Sequence, residues 1–333
     1  MRRMLWNALV NAGLILPALL AGAGRAAADD EPTIAKDSIR VTAHDDNKDP
    51  GAWRPGIFFR VNGPITSGSQ LSVEFSLPTK PKWVEFDCDT GEIKKGEWWK
   101  VECRADVDKA VSFIGTVGFT IRLRNELHGT NATLFTGKAK VVRIPRYAGS
   151  KSFYYYVNDD WTIPIGYVYF QDFEGRGSIN LKVGFWYRGN PPSNSCHLFY
   201  QGKEIAKDQN GGNDAGSWDP SKHMWGMEEC QFQGVYRTQQ DADKGDEPNF
   251  ALEKSPGEYE VKVLIVNRLA RSIKFSVDAN GIVDNGIATA NKLGSDRIIV
   301  PAQVLGDQGP WDKVAWKTGA FYGNPLTGFT PAP

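Results

Sequence analysis

Cysteine and histidine carry the most intrinsic chemistry, and this 333-residue chain has four of each. Cys88, Cys103, Cys196 and Cys230 show neither a C-x-x-C spacing nor a metal-type interval to a histidine, so their pattern spells neither thiol redox chemistry nor a zinc site. His44, His128, His197 and His223 lie far apart and read as single surface or hydrogen-bonded residues. No G-x-S-x-G elbow, H-E-x-x-H helix, G-x-x-x-x-G-K-S/T phosphate loop or G-x-G-x-x-G turn occurs. Two carboxylates could still meet in space to cleave a glycosidic bond, but no spacing singles out a pair.

Two acidic stretches have a calcium-like look. HDDNKDPG (His44 to Gly51) sets Asp45, Asn47 and Asp49 at alternate positions, but Pro50 and Gly56 stand where a calcium loop wants glycine and a bidentate acid. A solvated turn is expected there. DADKGDE (Asp241 to Glu247) places Asp241, Asp243, Asp246 and Glu247 in one loop, a candidate calcium site weighed against a plain charged loop. No other cofactor is implied. The remaining candidates are aromatic: Trp218 and Trp225, with Asp219 and His223 between them, form a stacking platform for a sugar or an anchor for a protein if exposed. Core or edge packing is the alternative for each ring. In GEWWKVEC, adjacent Trp98 and Trp99 must face opposite sides of a strand, so one should lie outside the core.

The N-terminus has the parts of an export signal. Arg2 and Arg3 precede an apolar run from Gly13 to Ala21, and Ala26-Ala27-Ala28 offers a cleavage site before Asp29. The run is too short for a membrane anchor, which needs about 20 residues. The chain is therefore expected to be exported, to the periplasm or beyond. Disulfides then become the expected use of the cysteines. Of three possible connectivities, Cys88–Cys103 and Cys196–Cys230 keep each bridge within one proposed domain, and each contributes about 3 to 4 kcal/mol. Without residues 1 to 28, Lys plus Arg falls from 39 to 36 against 39 acids, a balance of −3. That balance, without a long basic run, speaks against nucleic acid as the main partner.

Gly, Pro and aromatics are plentiful and long apolar stretches of helical period are missing, so the class is mostly β. The clearest hairpin is PGEYEVKVLIVNRLARSIKFSVD (Pro256 to Asp278), where Tyr259, Val261, Val263 and Ile265 alternate with polar residues. GFTIRLRNELHGTNATLFTGKAKVV (Gly118 to Val142) has the same form. Upstream, GSQLSVEF (68–75) parallels GSINLKVGF (177–185), DTGE (89–92) parallels QGKE (201–204), and WKVEC (99–103) parallels WGMEEC (225–230). Four echoes in one order point to an internal duplication.

Carried by PGEYEVKVL and RSIKFSVD, the chain over residues 34 to 282 resembles the immunoglobulin-like and fibronectin-III-like modules of exported bacterial proteins. The resemblance implies an all-β fold of two tandem antiparallel β-sandwich domains and brings no catalytic motif. The expected organisation is a signal peptide (1–28), a first sandwich (29–148), a second (149–282) and a C-terminal strand with a packed irregular tail (283–333). Loops 207–224 and 238–249 enlarge the second copy, and loops on a rigid sandwich are where binding function concentrates.

The tail itself, GPWDKVAWKTGAFYGNPLTGFTP (Gly309 to Pro331), is too rich in rings for an unfolded end. It is expected to dock as a strap on the second sandwich or the junction. Its WKTGAFYGNPLTG echoes WRPGIFFRVNGPITSG (Trp53 to Gly68), the opening of a possible third copy. The functional expectation is a non-catalytic exported protein that acts by binding, with a protein or glycan partner, or as a structural element. A carbohydrate-binding protein using the loop tryptophans and a hydrolase with a composite acidic site are the alternatives.

Overall fold

The computed structural model describes residues 31–46, 49–125, 129–158, 164–172, 179–189, 193–208, 225–245, 249–294, 297–305, 314 and 316–328. The leader and its cleavage site lie outside them. Runs rich in Val, Ile, Phe, Trp and Tyr become strands, as their branched and aromatic side chains favour. The first half holds β1 (Thr33–Asp46), β2 (Asp49–Asn62), β3 (Ser69–Leu77), β4 (Lys80–Cys88), β5 (Trp98–Arg104), β6 (Gly115–Asn125), β7 (Thr130–Pro145) and β8 (Phe153–Val157). The second holds β9 (Ile165–Asp172), β10 (Ile179–Arg188), β11 (Asn194–Tyr200), β12 (Lys203–Asp208), β13 (Trp225–Tyr236), β14 (Phe250–Ala251), β15 (Gly257–Ile265), β16 (Arg268–Asp278), β17 (Gly281–Ile282) and β18 (Ile298–Val304). Three short helical segments are α1 (Gln239–Ala242), α2 (Ile287–Ala290) and α3 (Trp316–Gly323). The fold is all-β and antiparallel, except that β13 and β14 run parallel.

In the first half one sheet has the order β1-β2-β5 and the other β4-β3-β6-β7-β8. Ile57, Phe59 and Val61 from one sheet share a core with Val73, Phe75, Phe119 and Ile121 from the other. The Cys88–Cys103 disulfide ties β4 to β5 across that core. The second half repeats the order: β9-β10-β13, with β14 beyond it, and β12-β11-β15-β16. Here Cys196–Cys230 ties β11 to β13. One further strand completes each half. β8 pairs with β7 and lies against β1; β18 pairs with β9 through Ile298–Pro301 and with β16 through Ala302–Val304, stepping from one sheet to the other.

The matched segments fit this duplication unevenly. WKVEC and WGMEEC both fall on the fifth strand of their half, and the two terminal hairpins also coincide. GSQLSVEF instead forms β3, whereas GSINLKVGF leads into β10, the second strand of its half. The two disulfides therefore share one equivalent end, Cys103 and Cys230, and differ at the other.

The sheet β9-β10-β13 is buried on both faces, and β10 is buried at seven consecutive residues. One face gives Val168, Leu181, Val183, Phe185 and Phe232 to the core of the second half. The other gives Tyr167, Tyr169, Trp186 and Trp225 to the core that includes the first half. Arg271 of β16, 1% exposed, crosses between the second pair of sheets and donates Nε and Nη2 to the Trp186 carbonyl at 3.2 and 2.8 Å.

The tail packs against the first half, in a core that the aromatic face of β9-β10-β13 shares. Trp316, Phe321, Tyr322 and Leu326 are buried in it. The Tyr322 hydroxyl accepts from the Val41 amide at 3.0 Å, and its ring meets Phe119 edge-on at 5.4 Å. Asn291, after α2, holds the tail down by donating to the Thr327 carbonyl and accepting from the Thr327 amide, both at 2.8 Å. The segment after α2 meets an open stretch of β1. Its pairing with β2 shifts between Ala35 and Arg40, and there Lys36 donates its amide to the Lys292 carbonyl while the Asp37 carboxylate accepts from the Gly294 amide at 3.1 Å. The echo of Trp53–Gly68 does not extend to conformation: Trp53–Asn62 is strand, whereas Phe321 and Tyr322 turn the chain at φ 46° and 60°.

Candidate ligand-binding cleft

The sheet β1-β2-β5 turns Ile57, Phe59, Val61, Val101 and Cys103 inward. Alternation then puts Arg54, Phe58 and Arg60 of β2 and Trp98, Lys100, Glu102 and Arg104 of β5 on the outer face. Arg40, Thr42 and His44 of β1 join them. The register aligns Arg40 with Phe58 and Glu102, His44 with Arg54, and Arg60 with Lys100. Among the described side chains, five cations thus stand on this sheet face with one acid, Glu102. Glycine at position 56 is required here, because a Cβ would sit 2.5 Å from His44 Nε2 and 2.7 Å from Thr42 Oγ1. His44 is bonded to Thr42 at 2.9 Å. Partial burial, and then the nearby Arg54 and Arg104, lowers its pKa; Glu102 works against them.

At the Arg60 end, the second half rises beside this face and encloses a cavity of about 270 Å³. Arg40, Arg60 and Lys100 line it from the sheet face, Asp37 and Ser38 from the irregular part of β1, and Met227 and Arg297 from the opposing wall. Phe58, on the same outward side of β2, makes its apolar floor. Four cations and one acid leave the described lining at +3. The walls are held by stacking: the Arg40 guanidinium lies 4.4 Å from the Trp186 ring centre, and Arg297 lies 4.8 Å from that of Tyr169. Arg297 Nε is buried with no hydrogen-bond partner among the described residues. Burial raises the pKa of Asp37, opposed by the Gly294 amide, Arg297 and Arg40.

This arrangement can do one thing well. Guanidinium forks and an ammonium over an apolar floor hold a carboxylate, sulfate or phosphate attached to a less polar body. Asp37 is the one acid in the described lining and is committed to the Gly294 amide. A glycoside-cleaving site needs two working carboxyl groups.

The residues singled out in the sequence lie elsewhere. The four cysteines form the two disulfides, which fit an oxidising, exported environment. Trp225 begins β13 and is 5% exposed, so its ring packs between layers. Trp218, Asp219 and His223 lie outside the described residues, as do Asp246 and Glu247. Asp241 lies in α1, where Thr238 is the cap: the Asp241 carboxylate accepts from the Thr238 hydroxyl at 2.8 Å, and that hydroxyl accepts from the Asp241 amide at 3.1 Å. Asp243 accepts from Gln239 at 2.9 Å. Among the described residues no group of three or more His, Cys, Asp or Glu is arranged around a metal position. Asp45 accepts from Arg146 at 3.0 Å and from the Tyr155 amide at 3.3 Å, joining β1 to β8. Of the adjacent tryptophans, Trp99 is 53% exposed and Trp98 is half-buried beneath Arg60, 5.2 Å away.

The basic face escaped sequence reasoning although a signal existed. Arg54 and Arg60, and Lys100, Glu102 and Arg104, sit at even spacings within strand-like runs. What sequence does not show is that β2 and β5, some forty residues apart, lie side by side. The chain matches no family model, no curated protein and no solved structure.

Proposed function

We propose that this is a non-catalytic exported binding protein, built from two tandem immunoglobulin-like or fibronectin-III-like β-sandwich modules, whose ligand seats an anionic group in the cleft between them. The observation that carries the reading is the described cavity lining: Arg40, Arg60, Lys100 and Arg297 against the single carboxylate of Asp37, over Phe58. The repeated strand order of the two sheet pairs and their inter-sheet disulfides support the sandwich assignment. Binding of this kind requires no metal or cofactor. The two disulfides support an extracytoplasmic site of action, in the periplasm or at the cell surface.

The test is calorimetric titration and thermal shift with small carboxylates, sulfates and phosphates, uronic acids and sugar sulfates among them. At least one should raise the melting temperature of the wild type. Lys100→Glu reverses a charge at an exposed position and should abolish the effect. Wild-type protein indifferent to every such anion, or a Lys100→Glu variant that binds as well as wild type, would overturn the reading.

A further inference from the structure

We infer that the ligand is an acidic polysaccharide whose chain leaves the cavity and runs across the outer face of β1, β2 and β5; this rests on the anion-binding reading of the cleft and extends it. The cations do not stop at the cavity. They continue along β2 from Arg60 to Arg54 and along β5 from Lys100 to Arg104, with Arg40 and His44 beside them on β1. Six residues of strand place Arg54 about 20 Å from Arg60, far beyond the reach of one carboxylate or sulfate. A single small anion uses one end of this row; a chain with repeating charges uses all of it.

Four of the five cations are arginines, whose planar forks take two oxygens of a carboxylate or sulfate together. Trp98 stands on the same face of β5, half-buried beside Arg60, and an aromatic ring offers apolar area beside polar contacts. The His44 ring crosses β2 at Gly56, so no side chain from that position stands up between Arg54 and Phe58. An arginine cluster can also take an acidic peptide, and polyglutamate is the arm of the test that separates the two. A flat anionic bilayer can touch Lys100 and Arg104, but Arg297 stands on the opposing wall.

The experiment is titration of the full chain with galacturonic acid, oligogalacturonates of increasing length, heparin, polyglutamate, single-stranded DNA and phosphatidylglycerol vesicles. Affinity should climb with oligosaccharide length until about 20 Å is spanned and then level. Oligogalacturonate and heparin separate a carboxylate-bearing from a sulfate-bearing chain. Lys100→Glu should weaken the monosaccharide and the polymer alike. Arg104→Glu, exposed and outside the cavity, should weaken the polymer about tenfold and leave the monosaccharide unchanged. Glu102→Gln should tighten the polymer. If Arg104→Glu binds the polymer as wild type while Lys100→Glu does not, the ligand is confined to the cavity and the extended track is overturned, the cleft reading surviving. If Lys100→Glu also changes nothing, both fall. Polyglutamate, DNA or vesicles binding as tightly as either polysaccharide would overturn the polysaccharide assignment.

Discussion

Asp37 joins the segment after α2, the irregular part of β1 and the cleft through one carboxylate. Because burial raises its pKa, the native state holds the proton more tightly than the unfolded chain. Stability therefore falls as pH rises from the unfolded value, about 4, towards the raised native one. Asp37→Asn keeps an oxygen for the Gly294 amide and removes that fall. Thermal melts should show a flatter pH profile and a higher melting temperature at neutral pH; a lower one would mean that Arg40 and Arg297 depend on the charge. Arg271 is the other buried ion of note. Burial pushes its pKa down to about 10, so it remains charged at neutral pH while bonding the Trp186 and Ala270 carbonyls. Arg271→Met fills comparable space without donors and should cost about 2 to 3 kcal/mol in denaturant unfolding. Neither role is legible in sequence: RSIKFSVD reads as an ordinary alternating strand, and nothing in it says that a cation will point inward.

At the scale of elements, the two disulfides differ in the loop each closes, 15 residues for Cys88–Cys103 and 34 for Cys196–Cys230. Loop-closure entropy makes the second worth about 0.7 kcal/mol more. Replacing each pair by serines and comparing unfolding free energies should find Cys196/Cys230 the costlier loss. The pairing was legible because only one connectivity kept each bridge within a half. The hairpin β15–β16 was legible for a similar reason, since one wet face leaves a clean alternation. β10 was not: a strand buried on both faces has no such alternation, and its segment was set against β3 rather than β2. The tail was legible as packed, but the Val41 amide that bonds Tyr322 was not, because nothing local in the sequence pairs residues 281 apart. Deleting residues 309–333 removes Trp316, Phe321, Tyr322 and Leu326 from the first half's core. The melting temperature should fall by several degrees or more; an unchanged melt would show the strap to be ornamental. Tyr322→Phe isolates the Val41 bond and should cost about 1 kcal/mol.

For the molecule as a whole, the doubly buried sheet β9-β10-β13 couples the two halves. Its aromatic face would be wet if either half opened alone, an exposure that surface residues rarely tolerate. Scanning calorimetry should therefore find one cooperative transition with matching calorimetric and van't Hoff enthalpies; two resolved transitions would show the halves to be energetically separate. Sequence reached the mostly β class and the repeat, which depend on local pattern. It missed the charged cleft, which depends on how sheets meet. The strap has a last consequence, for the order in which the protein can be made. Its rings sit among strands that are synthesised first, yet Tyr322 lies 281 residues after the Val41 it bonds. Domains usually finish folding as they emerge, N-terminal portion first. Here the earliest strands must wait, with the edge of β1 and the Phe119 ring uncovered, until the strap itself has been made.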